Sequence, residues 1–520
     1  MASKKNQYGQ YMTPEIIADF MLSLADITFE SSILEPCSGK GVFLDILTKK
    51  GYKNITSYEI DDNLIDKKFT TINESFISAK INGKFDLIIG NPPYIRWKNL
   101  ETQLKIELEK NELWNQFCNS LCDYSAIFIL KSVKLLKENG QLIFITPEYW
   151  LNNTHSKKLR NYILENGYLE EIYHFNETPI FDNVRVSIII FKFIKSKNKN
   201  NRLLISKLHD NKKLNTDKLL NIKHKINQPN TEYIERLGFK KDEKWILASN
   251  STILDLKNFE KKCTKKINNN LFCDEFYTIG EFCDIGNGMV SGLDKAFQIN
   301  TDKLIKNEKK YLISVVKAKD LERFYYKNIT NYFLIKEGEI KDEASFIKEF
   351  PNIFNSIKHY ISKLDERYKY NRKINFWEWV FLRNYNLFNT ETMRIFVPCK
   401  ERISNKDYFR FALVEKKIYP TQDVTAIFPK KETEEDIHYI LSFLNSRAVF
   451  NWLRYNGTVK GSIIEFSEKP ISSIPYRKID FSNQEERAIH DNIVKYTKEY
   501  ISSKDEGIFD KIYVEFDKLF

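Results

Sequence analysis

The stretch FDLIIGNPPYIRW, residues 85–97, joins a short apolar run to two consecutive prolines. The apolar run at 87–89 indicates a β-strand covered on both faces, which is the pattern of a parallel sheet. Two prolines end such a strand, because each fixes φ and neither donates a backbone hydrogen bond. The carbonyls of Asn91 and Pro92 then lie beyond the carboxyl end of the strand, where open α/β sheets bind ligands. The alternative interpretation is a turn that is merely stiff.

Helical and strand patterns alternate on both sides of this turn. Amphipathic helices are predicted for PEIIADFMLSLADI (14–27) and for SAIFILKSVKLLKENG (125–140), the second closed by Gly140, and strands for SSILEP (31–36), NITSYEID (54–61) and VRVSIIIFKFI (184–194). This alternation predicts an α/β fold with a doubly wound, largely parallel sheet.

The pattern changes in the second half of the chain. Beyond about residue 275 the alternation gives way to shorter aromatic and β-branched runs with turns, followed by helical stretches near the C-terminus. We therefore assign residues 1–235 to a first domain, 236–274 to a linker, and 275–520 to a second, α+β domain with a C-terminal helical segment.

Composition limits the function classes. Lys and Arg outnumber Asp and Glu by 81 to 70 among 520 residues, a balance that suits a polyanion partner but also follows from AT-rich coding. No apolar run has signal-peptide or membrane-spanning length, so we expect a cytoplasmic protein without membrane association. The seven cysteines are scattered, and the pair Cys118 and Cys122 lacks the further ligands of a zinc site, so no metal is expected.

A glycine-rich turn lies between a predicted strand and helix in ILEPCSGKGVF (33–43). Gly39 and Gly41 allow the backbone to approach a ligand near the start of the helix. Glu59 ends the next strand, where an acid can accept hydrogen bonds from a ribose diol. A G-x-G turn alone is common, but the Glu-Pro before it and the missing third glycine argue against a pyrophosphate cradle. They favour a nucleoside ligand without phosphates, such as S-adenosylmethionine (SAM).

In these motifs and their order, the chain resembles the TaqI-like (gamma-type) N6-adenine DNA methyltransferases of restriction–modification systems. YGQYMTPEIIADFM (8–21) resembles the motif before the glycine-rich turn, EPCSGKG (35–41) the cofactor loop, NPPY (91–94) the catalytic motif, and PIFDNVRVSIIIFKF (179–193) the later motif with an aromatic residue facing an extruded base. The resemblance is firm over residues 8–195 and looser beyond. It implies a Rossmann-like SAM-dependent methyltransferase sheet in the first domain and a DNA target-recognition domain in the second.

The resemblance also implies the residues of each site. For SAM these are Tyr11, Thr13, Glu35, Pro36, Cys37, Gly39, Gly41, Glu59, Ile60, Ser75, Phe76 and Asn91, and for catalysis Asn91, Pro92, Pro93, Tyr94 and Phe181. Relatives usually carry Asp-Phe where this chain has Ser75-Phe76, and that Asp bonds the adenine amino group of SAM. Either Ser75 or Glu74 therefore takes the contact here.

The NPPY turn offers two acceptors that suit methyl transfer to an amino nitrogen. An exocyclic amino nitrogen is a poor nucleophile, because its lone pair is delocalised into the ring. The Asn91 side-chain oxygen and the Pro92 carbonyl can hold both amino hydrogens and draw the nitrogen toward sp3 character. Tyr94 and Phe181 would stack on the two faces of a base flipped out of the duplex, at about 1–3 kcal/mol each. A surface role for Tyr94 and a core role for Phe181 are the alternatives.

Basic and polar residues in both halves of the chain are predicted to contact DNA. The candidate DNA-binding residues are Arg96, Lys98, Asn287, Arg372, Lys373, Arg383, Lys460 and Ser462, with a solvated surface as the alternative for each.

An N4-cytosine DNA methyltransferase needs the same two acceptors, although its family usually has Ser or Asp in place of Asn91. A protein-glutamine methyltransferase and a catalytically silent DNA-specificity protein are further rivals. We expect a monomer that acts on double-stranded DNA, either beside a separate cognate restriction endonuclease or as an orphan enzyme.

Overall fold

A computed structural model describes residues 11–176, 178–181, 187–198, 202–210, 213–267, 271–403, 406–460 and 462–520. It divides the chain into two compact units, Met1–Ile253 and Leu254–Phe520. The division falls inside the stretch 236–274 that the sequence assigns to a linker. The chain continues to pack on the first unit beyond residue 235, because Trp245 is buried there and its ring contacts Trp150 and Phe239 at centroid distances of 5.8 and 4.8 Å.

The first unit is a sheet flanked by helices. Its strands are β1 (Ile33–Glu35), β2 (Ile55–Ser57), β3 (Phe85–Gly90), β4 (Leu136–Pro147), β5 (Gly167–His174), β6 (Ile188–Lys195), β7 (Arg202–Leu208) and β8 (Thr231–Leu237). Its helices are α1 (Glu15–Ser23), α2 (Val42–Lys49), α3 (Thr102–Glu109), α4 (Glu112–Phe117), α5 (Ser125–Leu135), α6 (Lys157–Asn166) and α7 (Thr216–Lys223), and α8 (Asn250–Lys262) crosses into the second unit.

The eight strands form one sheet in the order β2-β1-β3-β4-β6-β5-β7-β8. Strands β2, β1, β3 and β4 pair in parallel, as do β5 and β7, whereas β6 runs antiparallel to both β4 and β5, and β8 runs antiparallel to β7. The predicted α/β class with a Rossmann-like sheet is confirmed. The half of the sheet that includes β1 and β3 is fully parallel.

Strand β3 shows why its sequence is continuously apolar. Leu87 and Ile89 belong to the core shared with α1 and α2, while Ile88 belongs to the core on the other face, shared with α5. Successive side chains of a strand point to opposite faces, so a strand with helices on both sides needs apolar residues at every position.

Helix α5 ends one turn earlier than the sequence predicts. It stops at Leu135, and Leu136 is extended (φ −69°, ψ 146°) and pairs with Phe85 in β3. Pairing in the sheet prevails over the helical pattern here, so Gly140 does not close the helix and the prediction was wrong at this boundary. Gly140 lies in an irregular part of β4, between the pairs formed by Leu136 and Gln141.

The second unit combines small sheets with helices. Its strands are β9 (Thr264–Ile267), β10 (Leu271–Phe276), β11 (Cys283–Asn287), β12 (Leu312–Val316), β13 (Thr330–Phe333), β14 (Arg394–Pro398), β15 (Lys400–Arg402), β16 (Ala412–Val414), β17 (Ile418–Pro420), β18 (Val424–Pro429), β19 (Thr458–Lys460) and β20 (Ile463–Glu465). The helices after α8 are α9 (Ile279–Phe282), α10 (Asp294–Phe297), α11 (Glu343–Glu349), α12 (Pro351–Ile357), α13 (Ile361–Glu366), α14 (Tyr385–Phe388), α15 (Ile437–Leu444), α16 (Arg447–Asn456), α17 (Glu468–Ser472), α18 (Gln484–Ser503) and α19 (Glu506–Leu519).

These strands form a four-stranded sheet (β11-β18-β14-β16), two three-stranded sheets (β13-β12-β17 and β15-β20-β19) and the hairpin of β9 and β10. The long helices α18 and α19 end the unit. Within the described ranges, no helix combines the length and apolarity needed to cross a membrane.

Candidate active site

The NPPY turn lies at the edge of the sheet where the parallel neighbours β1 and β3 both end. The chain turns from β1 to β2 on one side and continues through β3 on the other, so this edge is the switch point at which open α/β sheets bind ligands. A cavity of about 230 Å³ opens there. Every residue predicted to bind SAM lines it except Gly41, and the other lining residues are Met12, Ser38, Lys40, Val42, Phe43, Pro93, Leu104, Tyr124 and Phe128.

The glycine-rich turn has backbone conformations that favour glycine. Gly39 has φ +52° and Gly41 has φ +79°, both in the left-handed region, and Gly41 is the residue from which α2 begins. A Cβ at Gly41 would lie 2.9 Å from the ring of Phe69, whereas a Cβ at Gly39 would meet, among the described residues, only the sulfur of Met12, at 3.8 Å. Gly41 therefore packs against Phe69 and does not line the cavity, whereas Gly39 forms part of the cavity wall.

Alanine at these two glycines is expected to have different effects. Gly41→Ala should lower the free energy of unfolding by about 2–3 kcal/mol, because positive φ and the contact with Phe69 both oppose it. Gly39→Ala should cost only about 1–2 kcal/mol, since φ alone opposes it, but it adds a methyl group at the cavity wall. Urea denaturation of both variants checks the order, and equal losses would show that Phe69 moves aside freely.

Glu59 is held at the cavity wall by backbone N–H groups. The Gly39 N–H donates to its Oε2 (2.7 Å), and the Asp61 N–H donates to its Oε1 (2.9 Å). Burial raises the pKa of Glu59, while these N–H groups act in the opposite direction. The carboxylate thereby links the glycine-rich turn to the end of β2, in a position suited to accept hydrogen bonds from a sugar diol.

Glu35 is a buried carboxylate, and the described residues leave one of its oxygens without a hydrogen bond. Its side chain is 1% exposed, and its Oε2 has no hydrogen-bond partner among the described residues. Burial, and next the negative charge of Glu59, raise the pKa of Glu35 well above its ordinary value. A cationic ligand group would stabilise the ionised carboxylate here, which suits the ammonium group of an amino acid.

Part of the cavity wall is apolar and suits a planar ring. Ile60, Phe76, Leu104, Tyr124 and Phe128 line it, and the rings of Phe76 and Phe128 stack at a centroid distance of 5.4 Å. Of the two candidates for a polar contact beside this apolar part, Ser75 lines the cavity, whereas Glu74 is exposed and is not among its lining residues.

The Asn91 amide is oriented by its neighbours. Its Nδ2 donates to the Tyr11 carbonyl (2.8 Å) and to Thr13 Oγ1 (3.1 Å), so both amide hydrogens are used. Its Oδ1 therefore remains the acceptor, and it receives a hydrogen bond from the Tyr94 hydroxyl. Within the described part of the chain, no hydrogen bond reaches the neighbouring carbonyl of Pro92. Two successive residues of the turn thus each offer an acceptor.

Three aromatic rings meet in front of this turn. Tyr11 stacks on Tyr94 at 5.6 Å (26°) and lies 5.6 Å from Phe181, while Tyr94 and Phe181 are 6.4 Å apart at 64°. A base between two rings needs them parallel and roughly 7–8 Å apart, since each stacked contact takes about 3.5–4 Å. The rings must therefore separate to admit one. The Tyr94 hydroxyl also contacts the Ile145 carbonyl (2.8 Å), which offers its single hydrogen a second acceptor.

Some of the residues predicted to bind DNA are exposed, and others are bonded to groups within the fold. Arg96, Lys98 and Lys373 are exposed. Three others are engaged within the second unit: Arg372 pairs with Glu337, Arg383 donates to the Gly288 carbonyl, and Asn287 accepts from Thr425. Ser462 accepts from Arg402, and the Lys460 side chain lies outside the described residues.

Sequence reasoning missed the cavity residues that come from helices. Leu104 on α3, and Tyr124 and Phe128 at the start of α5, follow the apolar spacing of ordinary core positions. Tyr124 and Phe128 are four residues apart, and this spacing places them on one face of the helix. Residues that line a cavity and residues of an ordinary core share this spacing, so it does not distinguish the two.

Together, the Rossmann-like sheet, the glycine-rich turn, the acid after β2 and the NPPY turn define a SAM-dependent methyltransferase. The family model of the Eco57I restriction-modification methylase matches residues 17–181. The chain is 45% identical to the Type II methyltransferase M.HindII and 42% identical to the Type II methyltransferase M.HincII, both of Haemophilus influenzae, and each match covers 99% of this chain and 98% of the relative. This chain belongs to the type II DNA methyltransferases of restriction–modification systems.

A solved structure agrees on the fold. The Type IIL restriction-modification enzyme MmeI, in complex with DNA, matches with a TM-score of 0.59 at 13% identity, covering 97% of this chain and 71% of that one.

The family membership confirms the resemblance on which the sequence interpretation rests and excludes the protein-glutamine methyltransferase alternative.

Proposed function

We propose that this enzyme transfers a methyl group from SAM to the N6 amino group of an adenine flipped out of duplex DNA. The observation that carries the proposal is the Asn91 amide, whose two hydrogens are held by Tyr11 and Thr13 so that Oδ1 faces away from them as an acceptor. The carbonyl of Pro92, the next residue, accepts no hydrogen bond from the described residues and supplies the second acceptor. Two adjacent acceptors match the two hydrogens of an amino group.

The cavity fits SAM by the chemistry of its walls. Glu35 would hold the ammonium group of the methionine portion, and Glu59 the ribose hydroxyls. The apolar part of the wall, with Phe76 and Tyr124, would hold the adenine ring. When bound, SAM supplies a methyl group on a sulfonium, which is a strong electrophile.

The residues of the chain prepare the amino nitrogen. Asn91 Oδ1 and the Pro92 carbonyl draw its two hydrogens and localise its lone pair, and the stiff proline turn holds both acceptors in place. No strong base is required at Asn91, because the proton leaves after methyl transfer, when the nitrogen is positively charged. Alignment is then the main contribution of the protein to the rate. The Tyr94 hydroxyl must release Asn91 Oδ1, and the Ile145 carbonyl can receive it.

We expect Phe181→Ala to weaken capture of the flipped base by roughly 5- to 150-fold, because one stacked face is worth about 1–3 kcal/mol. The fluorescence of 2-aminopurine at the target position rises when the base leaves the stack, and this rise should shrink in the variant. Tyr94→Phe is the matched control, since it keeps the ring and removes only the hydroxyl. A full fluorescence rise in Phe181→Ala would assign this residue to the core alone.

We also propose that the second unit reads the target sequence and that the enzyme acts as a monomer, with or without a separate cognate endonuclease. An exposed aromatic cluster supports a nucleic-acid role. Tyr368 and Tyr370 are 71% and 48% exposed with ring centroids 4.6 Å apart, and Phe381, 44% exposed, has its ring centroid 6.2 Å from that of Tyr370. Exposed rings that lie close to basic residues in the sequence, as Tyr370 does to Lys373, are suited to stack on bases near a phosphate backbone.

The product of the reaction tests the proposal. The enzyme is incubated with SAM labelled in its methyl group and unmethylated duplex DNA of varied sequence, and the DNA is digested to nucleosides. Label in N6-methyladenosine is the expected result. Label in N4-methylcytidine would keep the Asn91 chemistry and replace the target base. Unlabelled DNA across all sequences, with SAM bound, would favour the catalytically silent alternative.

A further inference from the structure

The second unit contains a cavity of its own, with a volume of about 500 Å³. This volume is in the range common among ligand-binding sites. The end of α8 and the start of β9, from Lys261 to Thr264, line it together with the segment from Arg477 to Ser482. The ring of Tyr277, just after β10, also lines it. Neither the cofactor nor the flipped base occupies this cavity in the proposed function, so its ligand is unassigned.

Positive charge prevails among the side chains that line this cavity. Four are cationic and two are acidic: Lys261, Lys262, Arg477 and Lys478, against Glu434 and Asp480. Arg477 is bonded to Glu486 at 2.8 Å. Among the described residues, none of the three lysines forms an ion pair. Three ammonium groups therefore line one cavity without a carboxylate in contact.

The other ionisable groups around the cavity do not offset these charges. Glu434 is exposed, so water weakens its field, and Asp480 Oδ1 accepts from both the N–H and the hydroxyl of Ser482. The buried Glu435 accepts from the Ile479 N–H at 2.9 Å. Burial raises the pKa of the Cys263 thiol, so this lining residue stays neutral and adds no negative charge.

Aromatic rings hold Lys478 in place beside the cavity. Its ammonium lies 6.0 Å from the ring centroid of Tyr277 and 5.9 Å from that of Phe282. Attraction between an ammonium and a ring restricts the side chain without neutralising its charge. The charge of Lys478 is therefore both positioned and available to a ligand.

We propose that this cavity binds a phosphate group, either of the backbone of duplex DNA or of a free phosphate compound. A phosphate carries several charged acceptor oxygens, and lysine binds it as a point charge with three rotatable donors. Three lysines suit such a group better than they suit a single carboxylate. The site is additional to the proposed function, and it rests on that function where DNA is the source of the phosphate.

The salt dependence of DNA binding tests the site against a control of equal charge. Lys261→Gln with Lys262→Gln removes two charges at the cavity, and Lys309→Gln with Lys310→Gln removes two from an exposed lysine pair that does not line it. Fluorescence anisotropy of a labelled duplex at increasing salt gives the slope of log Kd against log salt for the full chain. The slope should be shallower by about 1–2 in the first double variant, since each phosphate contact contributes about 0.9, and should keep its wild-type value in the second. Lys478→Gln alone should reduce it by about 1.

Inorganic pyrophosphate distinguishes the two sources of phosphate. Calorimetry with pyrophosphate should show binding to the wild type that is weaker by roughly tenfold or more in the Lys261, Lys262 double variant, because charge-assisted hydrogen bonds are lost. A changed salt slope would identify DNA as the source, and an unchanged slope with weakened pyrophosphate binding would identify a free phosphate compound. If neither measurement changes in that variant or in Lys478→Gln, the inference is overturned. Failure of the wild type to bind duplex DNA would contradict the proposed function, and the pyrophosphate titration would then decide the inference by itself.

Discussion

Asn91→Ala is expected to lower the rate of methyl transfer by about 10²–10³-fold or more, the loss typical of removing one preorganised polar group from a reacting centre. The variant loses Oδ1, and the Pro92 carbonyl alone cannot hold both amino hydrogens of the base. The stacking rings and the cavity that holds the cofactor remain. Single-turnover transfer from labelled SAM to duplex DNA, with both substrates saturating, measures the chemical step.

The binding of SAM distinguishes a chemical role of Asn91 from a structural one. Its affinity should stay within about threefold in Asn91→Ala, because the residues that fit the ammonium, the ribose and the adenine are elsewhere in the cavity. Asn91→Asp provides a graded control, since it keeps an oxygen acceptor but loses the Nδ2 donors to Tyr11 and Thr13. Its rate should fall between those of the wild type and Asn91→Ala. Full activity in Asn91→Ala would refute the assignment.

The parts of the site that the sequence predicts are those placed by strand ends. Glu35, Glu59 and Asn91 each follow or end a short strand, and parallel strands bring their carboxyl ends to one edge. The order of the motifs along the chain is therefore enough to predict that these residues meet. The α/β alternation predicts the sheet for the same reason, although not that β6 runs antiparallel, which depends on how the chain returns.

The parts that the sequence did not predict depend on helix packing. Helix α3 carries two acids, Glu107 and Glu109, and nothing in the local sequence distinguishes one from the other. The contact of Glu107 with the Ser75 hydroxyl arises only when α3 packs over the cavity. Likewise, no local pattern reveals that the ring of Tyr11 packs against those of both Tyr94 and Phe181. Contacts of this kind follow from tertiary structure rather than from spacing.

In the second unit, the sequence alone does not identify the residues that contact DNA. Basic and amide residues in loops predict DNA contacts by composition, but the same groups also satisfy backbone carbonyls and ion pairs within the fold. Arg383 and Arg372 do so here, through Gly288 and Glu337. A sequence alone does not distinguish an arginine that holds a loop from one that reads a base, because both uses need the same donors.

Glu35→Gln is expected to weaken SAM binding by roughly 100-fold and, at the same time, to stabilise the ligand-free chain by about 1–3 kcal/mol. The wild-type carboxylate is buried beside Glu59, with Oε2 unpartnered among the described residues, so its charge is unfavourable until a cation arrives. The neutral amide removes that penalty but also removes the charge that would attract the ammonium group. Calorimetric titration with SAM and urea denaturation without it measure the two effects.

The dependence on pH follows from the raised pKa of Glu35. A carboxyl group whose pKa is raised on folding contributes stability that is complete below its ordinary value, 4.5, and is lost as the pH rises through the raised value. Over the same window the ionised form becomes available to a cation, so the SAM affinity of the wild type should rise with pH. Both trends should be absent in Glu35→Gln and present in Glu30→Gln, an exposed control. Equal SAM affinity in wild type and Glu35→Gln would show that the ammonium group binds elsewhere.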